Sequence, residues 1–144
     1  MVSARVQGID VGAIERAVRE AERSTSAEIR VAIPRFFWWG DVRRAAEEAF
    51  AALGMERTRE RNGVLLYISP RRRRFAIVGD VGVHARVTGA FWDELAARVA
   101  EALRAGLLTT AVESAVAEIG GRLATLFPAP AGENVNELPD TLTR

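Results

Sequence analysis

The spacing of apolar residues divides the chain into helices and strands. Apolar residues recur at helical spacing from a first N-cap, Asp10, to about Arg23, and from a second N-cap, Asp41, to Leu53. Between these helices the segment EIRVAIP, residues 28–34, alternates apolar and polar positions. That alternation predicts a strand with one polar face, which ends at the proline.

Two continuous apolar runs follow, VLLYIS at residues 64–69 and FAIVGD at residues 75–80. Runs of this length without alternation are typical of strands that are buried on both faces. The segment PRRRR between them, residues 70–74, is too short for a crossover connection. The two strands are therefore predicted to form an antiparallel hairpin with the arginines in its turn.

The last third of the chain is predicted to be helical. Helical spacing returns at residues 91–106, and Thr110 with Glu113 fits a capping box that opens a final helix to about residue 127. The pair Gly120-Gly121 inside that helix indicates either a close-packing point or an early end.

The resulting order, α-β-α-β-β-α-α, predicts an α/β fold, an α/β/α sandwich around a small mixed sheet. A single globular domain is expected over residues 1–127, because the chain is one domain long and 49% hydrophobic. Residues 128–144 are rich in Pro, Gly and polar residues, which predicts an extended C-terminal tail.

The predicted topology brings polar residues together at one end of the sheet. The first strand, the second helix and the second strand form a β-α-β unit, whose strands run parallel. Glu28, Arg61 and Asn62 then lie where these strands begin, and Asp80 lies where the hairpin returns. The arginine turn and Phe36–Trp39 are expected at the opposite end.

Composition excludes several classes of function. The chain carries 20 basic and 19 acidic residues and a net charge of +1, so no nucleic-acid partner is predicted. There is no cysteine and a single histidine, His84, which excludes thiolate catalysis and multi-histidine metal centres. No apolar signal segment opens the chain and no run reaches the ~20 apolar residues of a membrane span, so a soluble cytoplasmic protein is expected.

Several segments together resemble the TPM domain family, over roughly Ile14 to Asp140. They are TSAEIRVAI, RTRERNGVLLYIS, FAIVGDVGVH, FWDEL and NELPD. That family includes membrane-anchored bacterial proteins and a thylakoid-lumen protein linked to photosystem II repair, and this chain is most similar to its short soluble bacterial members. The resemblance implies an α/β/α sandwich. The family is labelled as phosphatases, and some of its members bind divalent cations, so the resemblance also implies these two properties. Thr88 stands where anchored members tend to carry an aspartate.

A cation site is predicted around Asp80, between Gly79 and Gly82. Hard cations such as calcium or magnesium take several oxygen ligands, and the nearest candidates are Glu28, Asn62 and Asp93. In the alternative interpretation, Asp80 caps the following turn and Asp93 complements a helix dipole. No organic cofactor is implied.

Catalytic residues are not identified by the sequence. His84 could serve as a general base, although a surface role is the simpler interpretation. None of the usual phosphatase signatures is present, because these need a thiolate, a histidine pair, a D-x-D motif or a larger metal cluster. Any phosphatase activity is expected to be weak and metal-assisted.

The arginine turn, Arg71 to Arg74, is either a solvated loop or part of an interaction surface. The second interpretation combines it with the aromatic loop, through Phe37, Trp38, Trp39, Arg72 and Arg73. Such a surface would serve a protein partner or self-association. The sequence as a whole favours a binding or regulatory module with a possible divalent cation; a weak acid phosphatase and a protein-interaction module are the alternatives.

Overall fold

A computed structural model describes residues 8–34 and 40–130. It has five helices and three strands in those ranges. They are α1 (Val11–Glu22), β1 (Ile29–Ala32), α2 (Val42–Ala52), β2 (Val64–Ser69), β3 (Arg74–Gly79), α3 (Val81–His84), α4 (Gly89–Arg104) and α5 (Leu108–Leu126), with a 3-10 turn at Met55–Arg57. The described helices include none that is long and apolar enough to cross a membrane.

The three strands form one mixed sheet in the order β1-β2-β3. β1 runs parallel to β2, with Ile29 opposite Val64, and β2 is antiparallel to β3, with Val64 opposite Gly79. The predicted β-α-β unit and hairpin are therefore confirmed. Because β2 lies in the middle, β1 and β3 are the outer strands, and each has one lateral edge without a strand partner in the described ranges.

Helices cover both faces of the sheet, as the predicted sandwich requires. Ile29, Val31 and Leu66 face the larger core, which they share with α1, α4 and α5. Leu65 and Tyr67 face a smaller core beneath α2 and the 3-10 turn. The continuous apolar run of β2 follows from this arrangement, since every residue of the strand is buried.

The polar face predicted for β1 is not exposed to solvent. Glu28 and Arg30 are only 1% and 6% exposed. They alternate with the residues of the larger core and share a face with Ala32, which lies in the core under α2. The alternation in the sequence therefore marks buried charges.

The ends of α1 and α2 agree with the sequence, whereas α4 begins at Gly89, before the predicted segment, and the short helix α3 was not predicted. Asp10 and Asp41 cap α1 and α2 by accepting the N–H groups of Ala13 and Arg43. The capping box predicted at Thr110 is wrong, because α5 begins two residues earlier, at Leu108, with no side-chain cap. The hydroxyl of the preceding Thr109 instead accepts the backbone N–H of Asp10, which ties α5 to α1 (3.1 Å).

The outer edge of β1 is closed by other parts of the chain. The N–H of Ile29 donates to a carboxylate oxygen of the buried Glu22, at 2.7 Å. Just before the strand, the N–H of Ser26 donates to the carbonyl of Phe127, and Thr25 forms a β-bridge with Pro128. The first residues of the predicted tail thus extend the hydrogen bonding at this edge.

Gly120 lies at the contact between α1 and α5. A Cβ atom there would lie 2.6 Å from the Cβ of Ala21, closer than two side chains can approach. The neighbouring Gly121 has open space at the same position. The glycine pair is therefore a close-packing point and not a helix end, since α5 continues to Leu126.

The pair provides a test of this packing. Gly120→Ala should lower stability by about 1–3 kcal/mol, because the added methyl group forces α1 and α5 apart. Gly121→Ala should instead raise stability by up to about 1 kcal/mol, because alanine is the better helix former. Melting temperatures of the two variants should move in opposite directions, and an equal shift in the same direction would contradict this account.

Candidate functional site

Asp80 occupies the junction between β3 and α3. It follows the last strand residue, Gly79, and is the N-cap of the short helix. Its Oδ1 accepts the N–H of Val81 at 2.7 Å, and its own N–H donates to the carbonyl of Gly63 at 3.0 Å. The capping role that was one of the two interpretations of Asp80 is therefore present in the structure.

The carboxylate of Asp80 is held by Arg61 through two parallel hydrogen bonds. Nε of Arg61 lies 2.7 Å from Oδ2, and Nη2 lies 2.9 Å from Oδ1. The aspartate side chain is 5% exposed, whereas the arginine side chain is 47% exposed. Its hydrogen bond to Asp80 raises the pKa of Arg61 above the ordinary value, which favours the charged guanidinium.

Backbone contacts fix the loop that carries Arg61. The N–H of Gly82 donates to the carbonyl of Arg61 at 2.8 Å. A Cβ atom at Gly82 would lie 2.3 Å from the carbonyl oxygen of Glu60, so only glycine fits against this loop. Arg61 itself adopts a left-handed backbone conformation, with φ of 52°. The loop and α3 therefore form a rigid unit around Asp80.

Asn62 and Glu28 lie at the same end of the sheet, but the hydrogen bonds described below join them to groups other than Asp80. Nδ2 of Asn62 donates to the hydroxyl of Ser26 (3.2 Å), which donates to a carboxylate oxygen of Glu60 (2.6 Å). The Oδ1 atom of Asn62 is buried and has no hydrogen-bond donor among the described residues. The carbonyl of Glu28 accepts the N–H of Val64 at 2.8 Å, as part of the pairing of β1 with β2.

These contacts bear on the predicted cation site. Asp80 already accepts three hydrogen bonds, so a cation at its carboxylate would have to displace Arg61. Across residues 8–34 and 40–130, no three His, Cys, Asp or Glu side chains lie close enough together to hold a metal ion. The arrangement as it stands does not fit a preformed calcium or magnesium site, and cation binding stays a prediction.

A groove runs along the outer edge of β3, between α2 and α4. Its volume is about 370 Å³. The apolar part of its lining comes from all three elements, namely Val42, Phe75, Ile77, Trp92 and Ala96. Asp93 and His84 line it as well, so two of the residues selected from the sequence belong to this groove. We refer to it as the β3 groove.

Alternate backbone groups of β3 point into the β3 groove. The N–H of Asp80 donates to β2, and alternation along an antiparallel pair then turns the N–H and C=O of Gly79, Ile77 and Phe75 outward. The carbonyl of Ile77 confirms this direction, because it accepts Nη1 of Arg43 from outside the sheet at 2.6 Å. No other residue of the described chain hydrogen-bonds these outward groups.

The arginine turn lies beside the start of α2. The N–H of Arg73 donates to the carbonyl of Pro70 and closes the turn, as predicted. Nη1 of Arg72 donates to the carbonyl of Gly40, just before the helix, at 2.8 Å. The aromatic partners expected here, Phe37, Trp38 and Trp39, lie outside the described residues, and their part in an interaction surface stays a prediction.

The sequence did not reveal the β3 groove. The run FAIVGD was interpreted as a strand buried on both faces, which says nothing about its lateral edge. One signal was available: β3 is the last strand of a hairpin and is followed only by helical segments, so it could end as an outer strand. The groove walls depend on where α2 and α4 pack, and no local pattern encodes that position.

Comparison with known proteins identifies relatives. The model of the family described as the TPM domain matches residues 7–122. The NMR structure of BA42 protein from the psychrophilic bacterium Bizionia argentinensis is 31% identical, covers 99% of this chain and 94% of its own, and has a TM-score of 0.85. The N-terminal domain of cg2496 protein from Corynebacterium glutamicum shares the fold at 18% identity, with 84% and 76% coverage and a TM-score of 0.63. No curated protein matches the sequence.

A divalent cation at Asp80 should compete with Arg61. Arg61→Ala removes the resident guanidinium, so millimolar calcium or magnesium should shift the backbone amides of Asp80–Gly82 more strongly in this variant than in the unaltered protein. Arg59→Ala, which alters an exposed arginine of the same loop, is the matched control. An NMR titration in which none of the three proteins responds would exclude a cation site at Asp80.

Proposed function

The chain belongs to the TPM domain family, and from this premise we propose that it acts as a protein-binding module that uses the β3 groove. One observation carries the proposal. Outward backbone N–H and C=O groups of β3 lie beside an apolar groove formed by α2 and α4. Unpaired strand edges and concave apolar surfaces are both sites at which proteins recognise one another.

The groove also contains an unsatisfied donor. Nε1 of Trp92 is buried and has no acceptor among the described residues. A buried donor without an acceptor costs about 1–3 kcal/mol of folding free energy. A ligand oxygen could reach this nitrogen only after the side chain had moved, and the new hydrogen bond would then recover part of that cost. Tryptophan residues of this kind, with an apolar ring and one polar atom, are common at binding surfaces.

Arginines lie along the groove and beside one of its ends. Arg43 projects from α2 to β3, and the turn containing Arg72 contacts the residue before the same helix. This placement supports the alternative in which the arginine turn belongs to an interaction surface. The arginine turn and the β3 groove would then form one continuous binding region.

The phosphatase alternative has less support from the arrangement. Its central residue, Asp80, is held by Arg61 and by a helix N-terminus, which leaves its carboxylate poorly placed to bind a metal or attack phosphorus. His84 is exposed in the β3 groove, and the chain has no cysteine. A divalent cation as regulator of binding stays a prediction that the Arg61 variant tests.

The proposal predicts that filling the groove abolishes binding. Peptides selected from a random displayed library on the unaltered protein should lose at least about tenfold in affinity for Ala96→Trp, because the indole occupies the groove. Ala97→Trp, on the exposed neighbouring position of α4, should bind them normally. Isothermal titration with the three proteins measures this. Equal affinity for all three would mean that the peptides bind elsewhere and would contradict the proposal.

The proposal also predicts that phosphomonoester hydrolysis stays near background. Purified protein with p-nitrophenyl phosphate and millimolar magnesium or calcium should release no more nitrophenol than Asp80→Asn, since the structure presents no activated nucleophile at that residue. Turnover that persists through repurification and disappears in Asp80→Asn would establish the enzyme alternative instead.

A further inference from the structure

We propose that the ligand of the β3 groove is an acidic, extended segment of another protein, which adds to the sheet as a fourth strand antiparallel to β3. This inference rests on the proposed function and specifies its ligand. Strand addition uses main-chain hydrogen bonds for affinity and side-chain pockets for specificity.

The free edge of β3 is long enough for such a strand. Phe75, Ile77 and Gly79 alternate along it with their N–H and C=O groups facing outward. At ~3.3 Å per residue these three span about 13 Å, which corresponds to a five-residue partner strand. Side chains of that strand would alternate between the α2 wall, at Val42, and the α4 wall, at Trp92 and Ala96.

Arg43 occupies the place that the added strand would take. Its Nη1 donates to the carbonyl of Ile77, the atom that would accept an N–H from a fourth strand. The side chain is 48% exposed, and its ion pair with Glu47 is on the surface at 3.3 Å. Surface pairs contribute little stability, so a strand N–H can replace the guanidinium at small cost.

The lateral edges of the two outer strands, β1 and β3, have different kinds of hydrogen-bond partner. At β1, the buried carboxylate of Glu22 and the backbone of Phe127 accept from the edge and from the residues before it. At β3, within the described chain, an exposed side chain makes the one contact to the outward groups. The carboxylate that binds the β1 edge is buried, whereas the guanidinium at β3 is half exposed and therefore replaceable.

Charge determines the kind of peptide and its direction. Arg74 is the first residue of β3 and Arg72 lies in the turn just before it, while Arg43 lines the groove at the middle of the strand. An antiparallel partner strand ends where β3 begins, so acidic residues at its carboxyl end would meet Arg72 and Arg74. A second copy of β3 fits less well. Antiparallel pairing centred on Ile77 would place Arg74 opposite Asp80, whose carboxylate is already bound by Arg61.

The test uses one peptide in three forms. The parent is an eight-residue peptide that alternates valine and threonine and ends in two glutamates. The other forms carry N-methyl groups on either the odd or the even residues, which removes the N–H donors along one edge of the strand. Binding to the full protein is followed by NMR through the amides of Phe75, Ile77 and Gly79.

Strand addition predicts that one methylated form fails to bind while the other binds like the parent, because only one edge of the peptide meets β3. Ile77→Pro, which removes an outward N–H and leaves the ladder to β2 intact, should weaken binding of the parent about three- to tenfold. Ile77→Ala, which loses a similar amount of side chain but keeps the N–H, is the control, and amide spectra confirm that both variants fold.

Other outcomes overturn the inference in distinguishable ways. If both methylated forms bind the groove like the parent, side chains and not backbone are recognised; strand addition is then excluded and the proposed function stands. If no form of the peptide shifts the NMR signal of a groove amide, and the library peptides bind Ala96→Trp as tightly as the unaltered protein, the proposed function fails as well. If the β3 amides respond to protein concentration in the absence of peptide, the occupant is a second copy.

Discussion

A sheet of three strands has two lateral edges, and the backbone groups along each edge need hydrogen-bond partners or solvent. In this protein the buried carboxylate of Glu22 accepts the outward N–H of Ile29 on β1, and the backbone of Phe127 accepts from Ser26 just before the strand. The β3 edge is lined by an apolar groove and has the side chain of Arg43 as its partner in the described chain. The functional proposals follow from this asymmetry.

The ion pair of Arg61 with Asp80 explains how the groove keeps its shape at one end. Asp80 joins β3 to α3, and α3 carries His84 into the groove lining. The pair fastens this junction to the loop before β2, and the hydrogen bond from the N–H of Gly82 to the carbonyl of Arg61 holds the loop against α3. An acidic residue that would suit a cation in isolation is here part of the framework.

Much of the fold could be predicted because its signals are local. The caps Asp10 and Asp41, the hairpin at the arginine turn and the parallel pairing of β1 with β2 each follow from short patterns. The start of α5 could not be predicted, because the hydroxyl of Thr109 accepts the N–H of Asp10, a residue 99 positions away. The burial of Glu28 and Arg30 likewise depends on tertiary packing and not on the local pattern. Of the site, topology indicated that Arg61 and Asp80 meet, but the groove arises only from tertiary packing.

Hydrogen exchange of the β3 amides in the free protein tests the open edge most directly. The account predicts alternation along the strand: the amides of Phe75, Ile77 and Gly79 exchange quickly, while those of Ala76 and Val78, which donate to β2, are strongly protected. Uniform protection of all five amides would mean that the edge is already covered in the free protein, and it would contradict the account.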